Sequence, residues 1–142
     1  MSTEDDVRAI SRQFYAALNR MANGDATAME AVWSHEEAVT ALHPIGDRQV
    51  GWEAVRESFE AFARLASDGE IELKDPLISV EGALAYEVGL ESGSLKLAGE
   101  AVTFEHRVTN IYRRTDGAWQ MTHHHSDLSP AIMAVHDRPS AA

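Results

Sequence analysis

Histidine is the residue type in this chain with the most chemistry to offer near neutral pH. It stands in two suggestive places: His43, directly before Pro44-Ile45-Gly46, and the run His123-His124-His125. An imidazole with an ordinary pKa of about 6.5 can abstract a moderately acidic proton, activate water or bind a substrate oxygen. Capping a turn is the structural alternative for His43. In the histidine run, successive strand residues alternate sides, so His123 and His125 can act together, or His124 alone, but never all three. The same period of two puts Glu105, Arg107 and Thr109 on one face of a strand and Phe104, His106 and Val108 on the other. We expect the Arg107 face to look inward, where the guanidinium would either form an ion pair with Glu105 or Glu87 or anchor a carboxylate or enolate oxygen. A metal site built from His43, one strand histidine and Glu105 is conceivable. No paired ligand motif with zinc spacing and no HExxH occurs, so neither metal nor cofactor is expected.

Composition narrows the classes. The 142 residues are 44% apolar and 25% charged, values of an ordinary single domain with one core. A net charge of -11 repels phosphate backbones and anionic lipid, which argues against nucleic acid and membrane partners. An acidic start and the lack of a long apolar run point to a cytoplasmic protein. With no cysteine, the disulfide framework, thiolate nucleophile and sulfur-ligated zinc all drop out.

The elements that must position these side chains follow from periodicity. Val7, Ile10, Phe14, Leu18 and Met21 recur at spacings of three and four, predicting a helix over Thr3 to Met21 that ends at Asn23-Gly24. Asp25 can cap a second, short helix reaching about Trp33, antiparallel to the first. Ala38 to Leu42 reads as a strand, and His43 to Asp47 as the turn after it. A third helix runs from Trp52 to about Leu65, with Val55, Phe59 and Phe62 on one stripe, closed by Ser67-Asp68-Gly69. The rest has β character: Ile71 to Val80, Leu84 to Ser92, Leu95 or Val102 to Arg113, and Trp119 to about Asp127, a four-stranded antiparallel meander broken at Glu81-Gly82, Ser92-Gly93 and Asp116-Gly117. Residues 1–128 make one domain and 129–142 an irregular tail. Helices first and hairpins afterwards imply an α+β layer structure with a cavity at one end of a concave sheet.

Three stretches carry a family resemblance: Phe14 to Asn19; His43-Pro44-Ile45-Gly46 through Arg56; and Val108 through His125. They resemble the nuclear transport factor 2-like superfamily, particularly its SnoaL-like and ketosteroid-isomerase-like members. Tyr112 to Trp119 is also similar to the final hairpin of the association domain of calmodulin-dependent kinase, an assembly module of the same fold. The resemblance implies a cone-shaped α+β domain, three N-terminal helices on a curved antiparallel sheet, around a small-molecule pocket. It also implies a homodimer formed through the convex sheet face, where Phe104, Val108 and Tyr112 would supply apolar area.

In the isomerases a carboxylate base precedes the Pro-x-Gly turn, and His43 stands at that position here. The oxyanion-stabilising tyrosine and aspartate correspond to Phe14 and Thr109, and a supporting tyrosine to Phe59, so the strong donors are gone. Steroid isomerisation by that mechanism is not expected. The resemblance also favours a four-residue hairpin loop, Arg114 to Gly117, pairing Thr109 with Thr122 and turning His124 inward; a three-residue loop would pair Thr109 with His123. Trp33, ending a helix near the open end, is expected to touch a ligand, while Tyr15 could reach ligand, solvent or a dimer contact. The expected site is thus His43, Arg107 and His124 as catalytic groups, with Phe14, Trp33, Phe59, Thr109 and Thr122 around the ligand. Two functions follow: a cofactor-free acid-base isomerase, dehydratase or hydratase acting on a small apolar carbonyl compound, or a non-catalytic dimeric binding or assembly domain.

Overall fold

A computed structural model describes residues 3–136. The first helix, α1 (Thr3–Met21), has Glu4, Asp5 and Asp6 in its first turn and Arg20 in its last, as the helix dipole favours. It buries Val7, Ile10, Phe14, Leu18 and Met21. A short α2 (Met29–Val32) follows. Strands β1 (Thr40–Leu42) and β2 (Gln49–Val50) flank the turn at Pro44, and α3 (Trp52–Ala63) buries Trp52, Val55 and Phe59. Four long strands complete the sheet: β3 (Ala66–Glu81), β4 (Leu84–Leu97), β5 (Glu100–Thr115) and β6 (Ala118–Ser126). The curved sheet has six strands in the order β2-β1-β6-β5-β4-β3.

The fold is the expected α+β type, with several local corrections. The sheet is larger than a four-stranded meander because β1 pairs parallel with β6 and β2 antiparallel with β1. Ser67-Asp68-Gly69 does not close α3 but lies inside β3, at a bulge. Ser92-Gly93 is not a turn either: β4 runs through it to Leu97 and turns at Ala98-Gly99, both with positive φ. The expectation of an irregular tail from residue 129 is corrected by α4 (Pro130–His136). Ser129 caps it, accepting the Ile132 amide at 3.2 Å, and Pro130 occupies the first helical position, where its missing N–H costs nothing. Residues 137–142 lie outside the described part.

Asn19 on α1 and Asn23 in the turn just after it fasten the helix to the edge strand. The Asn19 amide donates to the Ile71 carbonyl at 2.7 Å and accepts the Ile71 N–H at 2.8 Å, as a neighbouring strand would. Asn23 makes the same pair of bonds with Gly69 at 3.0 and 3.2 Å. Main-chain groups of an exposed edge are thereby satisfied by side chains, which also blocks pairing with another chain.

Sequence parity on β5 is the reverse of the expected one. Phe104, His106, Val108, Asn110 and Tyr112 are buried under the helices, while Glu105 and Arg107 are exposed. The face expected to form a dimer is therefore core. Parity is ambiguous in sequence because both faces of this strand mix apolar with polar residues, and only packing against α1 decides which is inside.

Close approach explains Gly69 and Gly93. A Cβ on Gly69 would run into the Ala22 side chain and carbonyl, and one on Gly93 into the Glu70 carbonyl. We expect Gly69→Ala and Gly93→Ala each to lower stability by about 1–3 kcal/mol in urea unfolding, since backbone must shift to admit the methyl group. Unchanged midpoints would contradict this packing.

Candidate functional site

A cavity of about 540 Å³ opens between α3, α4 and the concave face of the sheet. Its walls are largely apolar, with Leu18, Phe59, Phe62, Leu95, Phe104 and Ile132 among them, and into them are set His43, Ser58, Glu91, His106 and His124. Pockets of roughly 300–1,000 Å³ with few polar groups in apolar walls are typical of small-molecule sites.

The polar groups form a connected network. Glu91, projecting from β4, accepts the Tyr15 hydroxyl at 2.9 Å and His106 Nε2 at 2.9 Å. Glu87, two positions along the same face with Gly89 between, accepts Ser11 at 2.8 Å, Tyr112 at 2.8 Å and the Asn110 amide at 3.1 Å. Asn110 Nδ2 also donates to the Tyr15 oxygen at 3.1 Å, so its Oδ1 faces His124 Nδ1 at 2.6 Å. As an amide oxygen only accepts, His124 carries its proton on Nδ1. Its Nε2 stands 3.2 Å from the Ser126 hydroxyl.

A similar deduction fixes His43. Ser58 has one proton and gives it to the Val55 carbonyl at 2.6 Å, so at 2.7 Å from His43 Nε2 its oxygen must accept. His43 is then the Nε2–H tautomer, with the lone pair on Nδ1. His106 gives Nε2–H to Glu91, and its Nδ1 is buried without any partner.

Burial governs the protonation states. It drives His43 down to about 3, aided by His124 and opposed by Glu91, and His124 down to about 4, opposed by Glu91. It acts to raise the Glu91 carboxyl, but the hydrogen bond from His106, the neighbouring imidazoles and the bond from Tyr15 together hold it below its usual range. Burial beside Glu91 raises the Tyr15 hydroxyl far above its ordinary value, so Tyr15 stays a donor.

The residues singled out from sequence divide sharply. His43, Phe59 and His124 line the cavity. Phe14 sits behind, its ring centroid 5.0 Å from that of His124, and Trp33 is fully buried beside Phe59. Neither is among the cavity-lining residues. Arg107 is a correction: its side chain is 83% exposed on the outer face and binds Asp127 at 2.7 Å, because β5 presents its even-numbered residues to the core. Thr109 shares that outer face, opposite His125. Thr122 is corrected too: it is the extra residue at a β6 bulge and donates to the Ile111 carbonyl at 3.4 Å.

The hairpin turn is also tighter than expected. Thr115 pairs with Ala118 around Asp116-Gly117, both residues at positive φ, which is the two-residue turn that Asp-Gly favours. Sequence reasoning missed Glu91 and His106 as site residues, and Asn110 altogether. The readable signal was Glu87 and Glu91, four apart on one strand face with small Gly89 between them. Among the described residues no group of three or more His, Asp or Glu is arranged to hold a metal ion.

Two measurements check this electrostatic picture. Because both imidazole pKa values are depressed, the unfolded chain takes up protons below about pH 6.5 that the folded one refuses. Stability is full above that pH and falls as the pH drops towards 4, by about 2 kcal/mol per imidazole at pH 5. Urea unfolding at pH 7 and pH 5 should show the loss, and His43→Phe should remove about half of it. Long-range nitrogen NMR should find opposite tautomers, Nε2–H in His43 and Nδ1–H in His124; like tautomers would refute the hydrogen-bond assignment.

Comparison with known proteins agrees with this fold. A profile of the SnoaL-like domain matches residues 7–133, whereas no curated protein matches the sequence at a significant level. Among solved structures, a candidate dehydratase of the nuclear transport factor 2-like family from Streptomyces avermitilis is 23% identical, with a TM-score of 0.76 over 89% of this chain and 96% of that one. A candidate aromatic ring hydroxylase from Novosphingobium aromaticivorans is 22% identical, with a TM-score of 0.75 over 90% and 92%. A candidate calcium/calmodulin-dependent protein kinase II association domain from Thiobacillus denitrificans is 22% identical, with a TM-score of 0.68 over 86% and 94%. At such identities the likeness establishes the fold, and fold alone does not name a reaction. The extent of the family match and the shared architecture place this chain in the SnoaL-like family of nuclear transport factor 2-like proteins.

Proposed function

We propose that the cavity is the active site of a cofactor-free acid-base enzyme, an isomerase, dehydratase or hydratase acting on a small, largely apolar carbonyl compound. The observation that carries this reading is the convergence of His43, Glu91, His106 and His124 on the wall of one apolar cavity. A buried carboxylate–imidazole pair contributes little net stability, so stability alone gives little reason to keep one at the wall of an apolar pocket.

Roles follow from protonation. A base with a pKa near 3 is a poor proton acceptor at neutral pH, so His43, the position matched to the family's base, is better suited to hold a substrate group than to deprotonate it. The stronger candidate is His106, whose Nε2–H is fixed by the Glu91 carboxylate and whose Nδ1 is buried without a protein partner, so that a side-chain movement must open it to the substrate before it takes a proton; a carboxylate that orients an imidazole and stabilises its charged form is the logic of a catalytic dyad. His124, locked by Asn110 through Nδ1, has its Nε2 3.2 Å from the Ser126 hydroxyl. The apolar wall excludes water and strengthens each of these interactions. The description of one similar structure as a candidate dehydratase runs in the same direction.

We also propose a homodimer formed through the outer face of the sheet. Leu77, Leu84 and Tyr86 are exposed there, flanked by half-buried Val88 and Ile111. They take the place of the residues first expected at that contact, which are core. Analytical ultracentrifugation should find a dimer that Tyr86→Glu with Leu77→Asp converts to monomer; a wild-type monomer at micromolar concentration refutes it.

For catalysis, proton NMR in D2O with a set of β-hydroxy aryl ketones reads both deuterium entry at the carbon next to the carbonyl and loss of water. We expect turnover that falls about 100-fold or more in His106→Gln. Ligand binding without exchange or water loss would instead make this a binding protein.

A further inference from the structure

Tyr15 takes none of the three places that its sequence position allows. It is 8% exposed, so it faces neither solvent nor a dimer contact, and it is not among the residues that line the cavity. Its hydroxyl ends instead inside the polar network, 2.9 Å from Glu91 Oε2.

The direction of that bond is fixed by its neighbours. Asn110 has two amide protons, and one goes to Glu87 Oε1 and the other to the Tyr15 oxygen, both at 3.1 Å. The Asn110 oxygen accepts His124 Nδ1–H at 2.6 Å, so the amide cannot turn over. With its oxygen accepting from Asn110, Tyr15 gives its single proton to the carboxylate. Glu91 is thereby shared between two layers: Tyr15 holds Oε2 from α1, and His106 Nε2–H holds Oε1 from β5 at 2.9 Å. Ser126 Oγ lies 3.5 Å from Oε1, a much weaker contact. Without Tyr15, Oε2 keeps no donor among the described residues, in a side chain only 3% exposed.

A carboxylate that grips an imidazole through one oxygen is oriented best when its other oxygen is pinned by a rigid element. Tyr15 supplies this. Its ring packs edge-on against Phe14 at 5.0 Å, and α1 is fastened to β3 by Asn19, four residues on. Tyr112 makes the corresponding bond to Glu87 at 2.8 Å, but Glu87 also takes Ser11 and Asn110 and hydrogen-bonds no imidazole among the described residues.

We propose that Tyr15 is a positioning residue of this site: its hydroxyl, aimed by Asn110, holds the Glu91 carboxylate in the orientation that grips His106. This deepens the reading of Glu91 and His106 as the working pair of an acid-base enzyme and rests on it. Tyr15 acts through Glu91 and touches no substrate. Burial pushes the Glu91 carboxyl up, and the Tyr15 bond joins the His106 bond and the neighbouring imidazoles in holding it down. The titratable groups acting on Glu91 are Tyr15 from α1, His43 from the turn after β1, His106 from β5 and His124 from β6, with Glu87 on its own strand. Glu57 of α3 and His136 of α4 line the same cavity.

Tyr15→Phe removes the hydroxyl and keeps the ring. In the substrate-free protein, carbon-13 NMR of the Glu91 carboxyl should show the Glu91–His106 pair taking up its proton about one pH unit higher than in the wild type, because the lost bond favoured the charged form. In the deuterium-exchange and water-loss assay, kcat should fall about tenfold with KM unchanged, and the acidic limb of its pH profile should move up with the carboxyl. Tyr112→Phe takes the matching hydroxyl from Glu87; it should lower stability but leave kcat and the acidic limb in place. A readout that needs no variant is the Tyr15 Cζ resonance, which should move as Glu91 titrates in the wild type. An unmoved carboxyl or Cζ, an unchanged kcat, or an equal shift of the limb in Tyr112→Phe overturns the proposal. A wild type without turnover removes the enzyme and the catalytic consequence of Tyr15 together. An active wild type whose Glu91 titration is the same in Tyr15→Phe removes the role of Tyr15 alone.

Discussion

Two carboxylates buried inside the sheet set the terms for the rest of this structure. Glu87 and Glu91 are 1% and 3% exposed, and an unpaired carboxylate at such depth costs several kcal/mol. Their oxygens must be fully hydrogen-bonded, and the donors come from every layer: Ser11 and Tyr15 from α1, His106, Asn110 and Tyr112 from β5. That requirement fixes the rotation of α1 over the sheet and the parity of β5. The Asn19 and Asn23 bonds to β3 hold the same helix at its other side.

The network grades from structure to chemistry along its length. At Glu87 every donor belongs to the protein and nothing is left over, which suits a structural anchor. At Glu91 one of the partners is the imidazole of His106, a cavity-lining residue whose second ring nitrogen is buried without a partner. Asn110 joins the two ends, since its amide donates to Glu87 and its oxygen holds His124. Burial that would destabilise charged histidines keeps His43 and His124 neutral in an apolar setting.

His124 shows how a sequence argument can reach a right orientation by an unsound path. Period-two reasoning placed Thr109 inward and opposite Thr122; in the structure Asn110 is inward and opposite His124. One offset came from strand parity and the other from register, where a tight Asp-Gly turn and a bulge at Thr122 replace a longer loop. Each offset flips the face of a β6 residue, and two flips cancel. Arg107 had no such cancellation, and it lies outside.

Sequence alone determined what depends on local periodicity and turn chemistry: α1 and α3 from apolar residues three and four apart, the Asp116-Gly117 turn, and the α+β order of elements. It also carried motifs sufficient for the family, and His43 with them. Ser129-Pro130 was equally local, a cap and a first-turn proline, and could have been read as the start of α4. Tertiary structure decided what depends on partners far apart in the chain: which face of β5 is inside, the pairing of β1 with β6, and the meeting of Tyr15, Glu91 and His106. An alternating strand with polar residues on both faces has two nearly equal readings until a helix lands on one of them, because side-chain direction is set by the pleat but burial is set by the neighbour.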